Sequence, residues 1–105
     1  MENESAVAAL AALAHETRLA AFRHLVVCGP HGSPAGHIAE RLGLPAATLS
    51  FHLKELRSAG LVTCDRNGRS VIYRTDCARM EELVRFLTRN CCQGETALAQ
   101  QERVP

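Results

Sequence analysis

Two adjacent cysteines, Cys91 and Cys92, carry the most distinctive chemistry in this 105-residue chain. Neighbouring α-carbons stand about 3.8 Å apart, whereas a disulfide ordinarily spans about 4.4–6.8 Å. An unstrained bond between these two sulfurs is therefore disfavoured, while a chelated atom can bridge them through a larger ring. Thiolate sulfur is soft, so the pair suits a soft metal or metalloid ion better than a hard one. An accessible thiol pair can also serve as a redox switch. Cys28, Cys64 and Cys77 bring the total to five. An odd count in a chain of this type argues for free thiols or ligands over a disulfide framework. Cys77 falls on an apolar seam and reads as a small core residue, and Cys28 and Cys64 read as structural.

The second chemistry is cationic. The formal net charge is only +1, but its distribution is uneven. From Arg41 to Arg74 there are six basic residues (Arg41, Lys54, Arg57, Arg66, Arg69, Arg74) against two acids (Glu55, Asp65). The remainder holds six basic and nine acidic residues. One segment is a basic footprint of the kind that meets nucleic acid, and the rest balances it. No apolar run has the length of a membrane span, and Glu2 and Glu4 stand where a signal peptide would be basic. A cytoplasmic protein with no membrane partner is expected.

Elements of a single domain must position these groups. Sparse aromatics and abundant Ala and Leu favour helices. Ser5 is a candidate cap for a first helix in which Val7, Leu10 and Leu13 recur at helical spacing. A second helix is expected from Glu16–Thr17, burying Leu19, Phe22, Leu25 and Val26. Gly29-Pro30-His31-Gly32 breaks it, and Ser33-Pro34 suits the cap and first position of a third helix through Leu42. Gly43 ends that helix, and Pro45 starts a fourth with Leu49, Leu53 and Leu56 on one stripe. Leu61–Cys64 and Ser70–Arg74 read as strands around Asn67-Gly68, a hairpin signal. Thr75 or Asp76 caps a last helix to about Asn90, with Cys77, Met80, Val84, Leu87 and Cys91 forming a seam for another helix. The expected architecture is mainly α with a small β-hairpin: a winged helix-turn-helix over residues 1–92, followed by a mobile tail over 93–105.

In such an arrangement the helix after the Gly43 turn is the one that reads DNA. Thr48, Ser50 and Phe51 fall near its start, where base edges and phosphates are met. Lys54 and Arg57 can contact the backbone, and Arg66 and Arg69 on the hairpin can reach neighbouring phosphates or a minor groove.

The segments Leu13-Ala14-His15-Glu16-Thr17-Arg18-Leu19, Ile38-Ala39-Glu40-Arg41-Leu42-Gly43-Leu44, Thr48-Leu49-Ser50-Phe51-His52-Leu53 and Gly60-Leu61-Val62 resemble the ArsR/SmtB family of metal-sensing repressors, over about residues 5–90. The resemblance implies a homodimer formed by the first and last helices, with Leu10, Met80, Val84 and Leu87 at the interface. It also implies an operator DNA partner and repression relieved by an inducer. His52 looks like the family's recognition-helix histidine, acting either on DNA or in holding its helix.

Pro34 and Gly36 stand where some arsenic sensors carry Cys-x-Cys, so that site is absent. No histidine follows His52, which leaves Asp76, Glu81 and Glu82 without the partners of a zinc-type site on the last helix. Asn90-Cys91-Cys92-Gln93-Gly94, by contrast, resembles the C-terminal cysteine pair of certain arsenic-responsive members. The implied inducer is trivalent arsenic or antimony held by Cys91 and Cys92, with no permanent cofactor. No cysteine follows Cys92. A third arsenic substituent then comes from Cys28, Cys64 or Cys77 of either protomer, or from an organic group, hydroxide or external thiol. A site of two thiolates leans toward methylarsenite over arsenite. Two rivals remain: a thiol redox-sensing repressor of the same fold, and a thiol enzyme acting on arsenicals. The chain lacks Cys-x-x-Cys, a phosphate loop and a paired acid–base set, which speaks against the enzyme.

Overall fold

The computed structural model describes residues 1–95, so the tail expected over 93–105 lies outside the described residues from position 96 onward. The first helix, α1 (Asn3–Leu13), begins two residues before the expected cap at Ser5, with Glu2 in the N-cap position. Its inner face is Ala6, Ala9 and Ala12, all buried. Alanines at every third position bring the α1 backbone close to its neighbours, and the larger Val7 and Leu10 point outward. Helix α2 (Glu16–Cys28) starts where expected and buries Ala21, Phe22 and Leu25. Leu19 and Val26 do not join them; they are 47% and 41% exposed.

The break after α2 does more than end a helix. A single 3-10 turn (Gly29–His31) leads through Gly32 into β1 (Ser33–Pro34), a two-residue strand. Gly32 has φ +68°, and a Cβ there would collide with the Tyr73 carbonyl oxygen and stand 2.7 Å from Arg74 Cγ. Only glycine allows the chain to lie this close. The expected helix start at Ser33-Pro34 is therefore corrected: Ser33 and Pro34 pair with Tyr73 and Ile72, and α3 (Ala35–Leu42) follows with Pro34 as its N-cap. Gly43 closes α3 in the left-handed region, and α4 (Ala46–Ser58) follows with Pro45 in the cap, one position before the expected first turn.

Leu49, Leu53 and Leu56 of α4 are essentially fully buried, together with Leu25, Ile38, Leu61 and Val62. The wing consists of β2 (Val62–Asn67) and β3 (Ser70–Thr75), with β3 central in a three-stranded antiparallel sheet. Asn67 pairs with Ser70, so the loop is Gly68-Arg69 and not Asn67-Gly68. Gly68 takes φ +64° at the first central position, where a II′ hairpin turn places glycine.

Asp76 caps α5 (Cys77–Thr88) by accepting from the Arg79 N–H at 3.1 Å. Leu83 is buried, with Met80 and Phe86 packed beside the core. Val84 and Leu87 are more than half exposed. Cys77, expected on a buried seam, is exposed at the start of the helix. The helix ends at Thr88, short of Asn90, and leaves Cys91 and Cys92 in the turn beyond. Among the described residues no helix is long and apolar enough to cross a membrane.

Candidate DNA-binding face and thiol pair

Burying Leu49, Leu53 and Leu56 fixes the rotation of α4 and thereby which side chains it presents. Thr48, Ser50, Phe51, Lys54 and Arg57 are all exposed. Ser50, Lys54 and Arg57 follow one another at helical spacing along this outer face. Phe51, 56% exposed, adds an apolar ring of the sort that meets a thymine methyl group. Arg66 and Arg69 are exposed on the hairpin. Arg74, counted in the same basic segment, is engaged elsewhere: its Nη1 lies 2.7 Å from Asp65 and its Nε donates to the Pro30 carbonyl at 3.0 Å. The pair anchors the wing to the 3-10 turn after α2, and the tip cations Arg66 and Arg69 stay exposed.

His52 departs from this face. It is only 8% exposed and turned toward α2. Its ring centroid lies 4.7 Å from that of His15 and 5.6 Å from that of Phe51. Its Nδ1 stands 3.3 Å from Arg18 Nη1. Burial lowers the His52 pKa below the ordinary histidine value, with His15 and Arg18 pushing the same way and Glu55 opposing them. A direct DNA contact by His52 is thus corrected to a position behind the reading face. Sequence reasoning misses Arg18. The available signal is its spacing of three and four from Ala21 and Phe22, which sets an arginine on the face that α2 buries.

Cys91 and Cys92 are exposed, and their Sγ atoms are 3.5 Å apart. Asn90 and Cys92 both take positive φ, 59° and 63°, so the turn folds back on itself around Cys91. Its backbone N–H bonds the Thr88 carbonyl, which ties the turn to the end of α5. Among the described residues no group of three or more His, Cys, Asp or Glu side chains is placed to hold a metal ion. Cys28 lies 3.6 Å from His24 Nε2, and Cys77 lies 3.6 Å from Thr75 Oγ1. Neither is brought to the vicinal pair.

Helix, tight turn, reading helix and basic wing are the arrangement of a winged helix-turn-helix. A family model described as a helix-turn-helix domain matches residues 13–65, half of the chain. The HTH-type transcriptional regulator YgaV of Escherichia coli (strain K12) is 36% identical over 73 residues, which are 67% of this chain and 69% of that protein. An ArsR-like transcriptional regulator from Rhodococcus sp. RHA1 superposes with a TM-score of 0.76 at 28% identity, covering 96% of this chain and 92% of that one. The homodimeric winged helix-turn-helix DNA-binding domain of Mb0332 from Mycobacterium bovis, a possible ArsR-family regulator, gives 0.66 at 29% identity, over 83% of this chain and 81% of that one. The chain belongs to the ArsR/SmtB family of helix-turn-helix transcriptional regulators. It is a transcriptional regulator.

Proposed function

We propose that this regulator is a homodimeric repressor that leaves its operator when Cys91 and Cys92 bind trivalent arsenic or antimony. The observation that carries the reading is the thiol pair itself. Two sulfurs each about 2.3 Å from a soft ion, at an angle between a right angle and tetrahedral, stand about 3.3–3.8 Å apart, and here they are 3.5 Å apart. The same atoms suit a hard ion poorly. With no third ligating side chain gathered beside the pair among the described residues, the site favours an arsenical that brings its own third substituent. That supports methylarsenite over arsenite.

The homodimer reading rests on α1 and α5. These helices lie against each other and turn Val7, Leu10, Val84 and Leu87 outward. An uncovered apolar face on adjacent helices suits an isologous contact with a second copy, and the similar Mb0332 domain is homodimeric. Two recognition helices then read half-sites about one helical turn apart. The thiol pair lies where α5 leaves that face, so an ion bridging the sulfurs reorganises the turn at the edge of the interface. A coupling of about 3 kcal/mol corresponds to roughly a hundredfold in operator affinity.

The test is fluorescence anisotropy on labelled DNA from the chain's own promoter, at fixed salt and under reductant, with arsenite, methylarsenite and zinc titrated in parallel. Release by an arsenical, abolished in Cys91→Ser/Cys92→Ser, is the expected result, with methylarsenite the more potent. Equal potency of the two arsenicals overturns the two-thiolate assignment. Tight binding that none of the three relieves overturns the inducer, and release by peroxide alone assigns the thiols to redox sensing.

A further inference from the structure

We infer that Arg18 and His52 form a latch that sets the recognition helix against the end of α1, and that protonation of His52 opens it. The inference rests on the reading of α4 as the DNA-contacting helix. Arg18 bridges α1 and α4, two elements that lie in contact. Its Nε donates to the Ala12 carbonyl in the last turn of α1 at 2.7 Å. Its Nη1 lies 3.3 Å from His52 Nδ1 in the middle of α4. The guanidinium has only donors, so the contact requires an unprotonated Nδ1 as acceptor and therefore a neutral imidazole with its proton on Nε2. His15 completes the seat. Its own Nδ1 accepts the Thr17 N–H at 3.1 Å, which fixes the start of α2, and its ring covers that of His52.

The charges around His52 make the seat selective for the neutral ring. From α2 and its cap come Arg18 and His15, which both oppose a charge on the ring; from α4 itself comes Glu55, one turn away, the one acid acting on it among the described residues. A proton on Nδ1 converts an acceptor into a donor facing a donor and buries a second cation beside the first. The ring must then swing out or push Arg18 away. Either movement frees α4 from the Ala12 carbonyl and alters the angle at which Ser50, Lys54 and Arg57 are offered to DNA. Histidine is the side chain whose charge changes under mild acidification.

The sign of the effect distinguishes the latch from ordinary electrostatics. Added positive charge on a protein strengthens its attraction to phosphate. The latch predicts the reverse: operator affinity falls as pH drops below the ordinary histidine value, because the seat lowers the His52 pKa. Arg18 and His52 are positioning residues here, because neither lies on the exposed face of α4.

Operator anisotropy at constant ionic strength, from about pH 8 to about pH 5, tests this on the wild type, His52→Gln and Arg18→Gln. The amide oxygen introduced by His52→Gln can still accept from Arg18, but the side chain no longer titrates. The wild type is expected to weaken at least about threefold toward acid, with a ceiling of about tenfold per pH unit for a single group. His52→Gln is expected to lose that fall, and Arg18→Gln to bind more weakly at the alkaline end. Affinity that is flat or rises with acid in the wild type, or an unchanged fall in His52→Gln, overturns the latch. In parallel, an NMR pH titration of the free protein follows the amides of Ala12, Ala14 and Ser50–Leu53. They are expected to shift together with the His52 ring in the wild type and to uncouple in Arg18→Gln. Absence of any operator binding at pH 8 refutes the DNA reading, while the titration still decides the latch, with independent movement of the two segments overturning it.

Discussion

At the residue scale, the side chains that α4 offers to solvent and those that hold the fold are sharply divided. Leu49, Leu53 and Leu56 are buried, whereas Ser50, Phe51, Lys54 and Arg57 are exposed. This division was legible from a stripe of leucines, because the burial of three large apolar groups dictates the rotation of the whole helix. The fate of His52 was not legible. Helical periodicity places it beside Leu49, Leu53 and Leu56, but whether a histidine there faces inward depends on Arg18, which is 34 positions away in the chain. The wing offers the cleanest residue-level prediction. Arg66 and Arg69 are exposed, while Arg74 is held by Asp65. Replacing Arg66 or Arg69 with Ala is expected to weaken operator and non-operator DNA alike. Each change lowers the slope of log K against log salt by about one if that cation neutralises a phosphate. Arg74→Ala is expected to leave that slope unchanged, and measuring K across a salt series separates the three.

At the element scale, the order of helices and hairpin followed from turn chemistry at Gly43 and Gly68, and from the leucine stripe. What escaped was contact between elements distant in sequence. Ser33-Pro34 has the chemistry of a helix start, yet β3 recruits it as a third strand because Gly32 admits a close approach that no local rule anticipates. Spacing alone places Cys77 on a buried seam, but Leu83 and Phe86 set the inward side of α5 and leave Cys77 exposed. The start of α5 is secured by one carboxylate: Asp76 accepts the Arg79 N–H, and the Asp76 N–H bonds the Leu61 carbonyl. Asp76→Ala is expected to lose about 0.5–2 kcal/mol of stability. Urea denaturation with an unchanged m-value checks this, and Asp76→Ser, which keeps a capping oxygen, retains most of the stability. If the dimer forms through α5, the alanine change also weakens assembly, because fraying begins beside the helix face that makes the contact.

At the scale of the whole molecule, a protomer of this size has little core to spare, and α1 and α5 keep part of their apolar surface outside it. Val7, Leu10, Val84 and Leu87 are between 43% and 59% exposed. The sequence marked Leu10, Met80, Val84 and Leu87 for an interface. Met80 packs partly against its own core. Placing a charge at the two outward positions, Val84→Asp/Leu87→Asp, is expected to yield a monomer by sedimentation. Operator affinity then falls by far more than the loss of one phosphate contact, since each half-site must be held alone. Were that variant to remain dimeric, the interface would lie elsewhere. The thiol turn belongs to this scale as well. It hangs from the last turn of α5 through the bond between the Cys91 N–H and the Thr88 carbonyl, so a change in its shape reaches the helix before it reaches anything else.

The alanine face of α1 has one more consequence. By turning methyl groups inward at Ala6, Ala9 and Ala12, the first helix keeps its larger side chains, Val7 and Leu10, outside its own protomer. Where a second copy covers that face, folding and association become one equilibrium, in which dilution acts as a denaturant. The amount of competent regulator rises more steeply than the amount of chain synthesised. Gene dosage therefore becomes a control variable in its own right, and doubling expression is expected to tighten control of a target promoter more than twofold near the dissociation threshold.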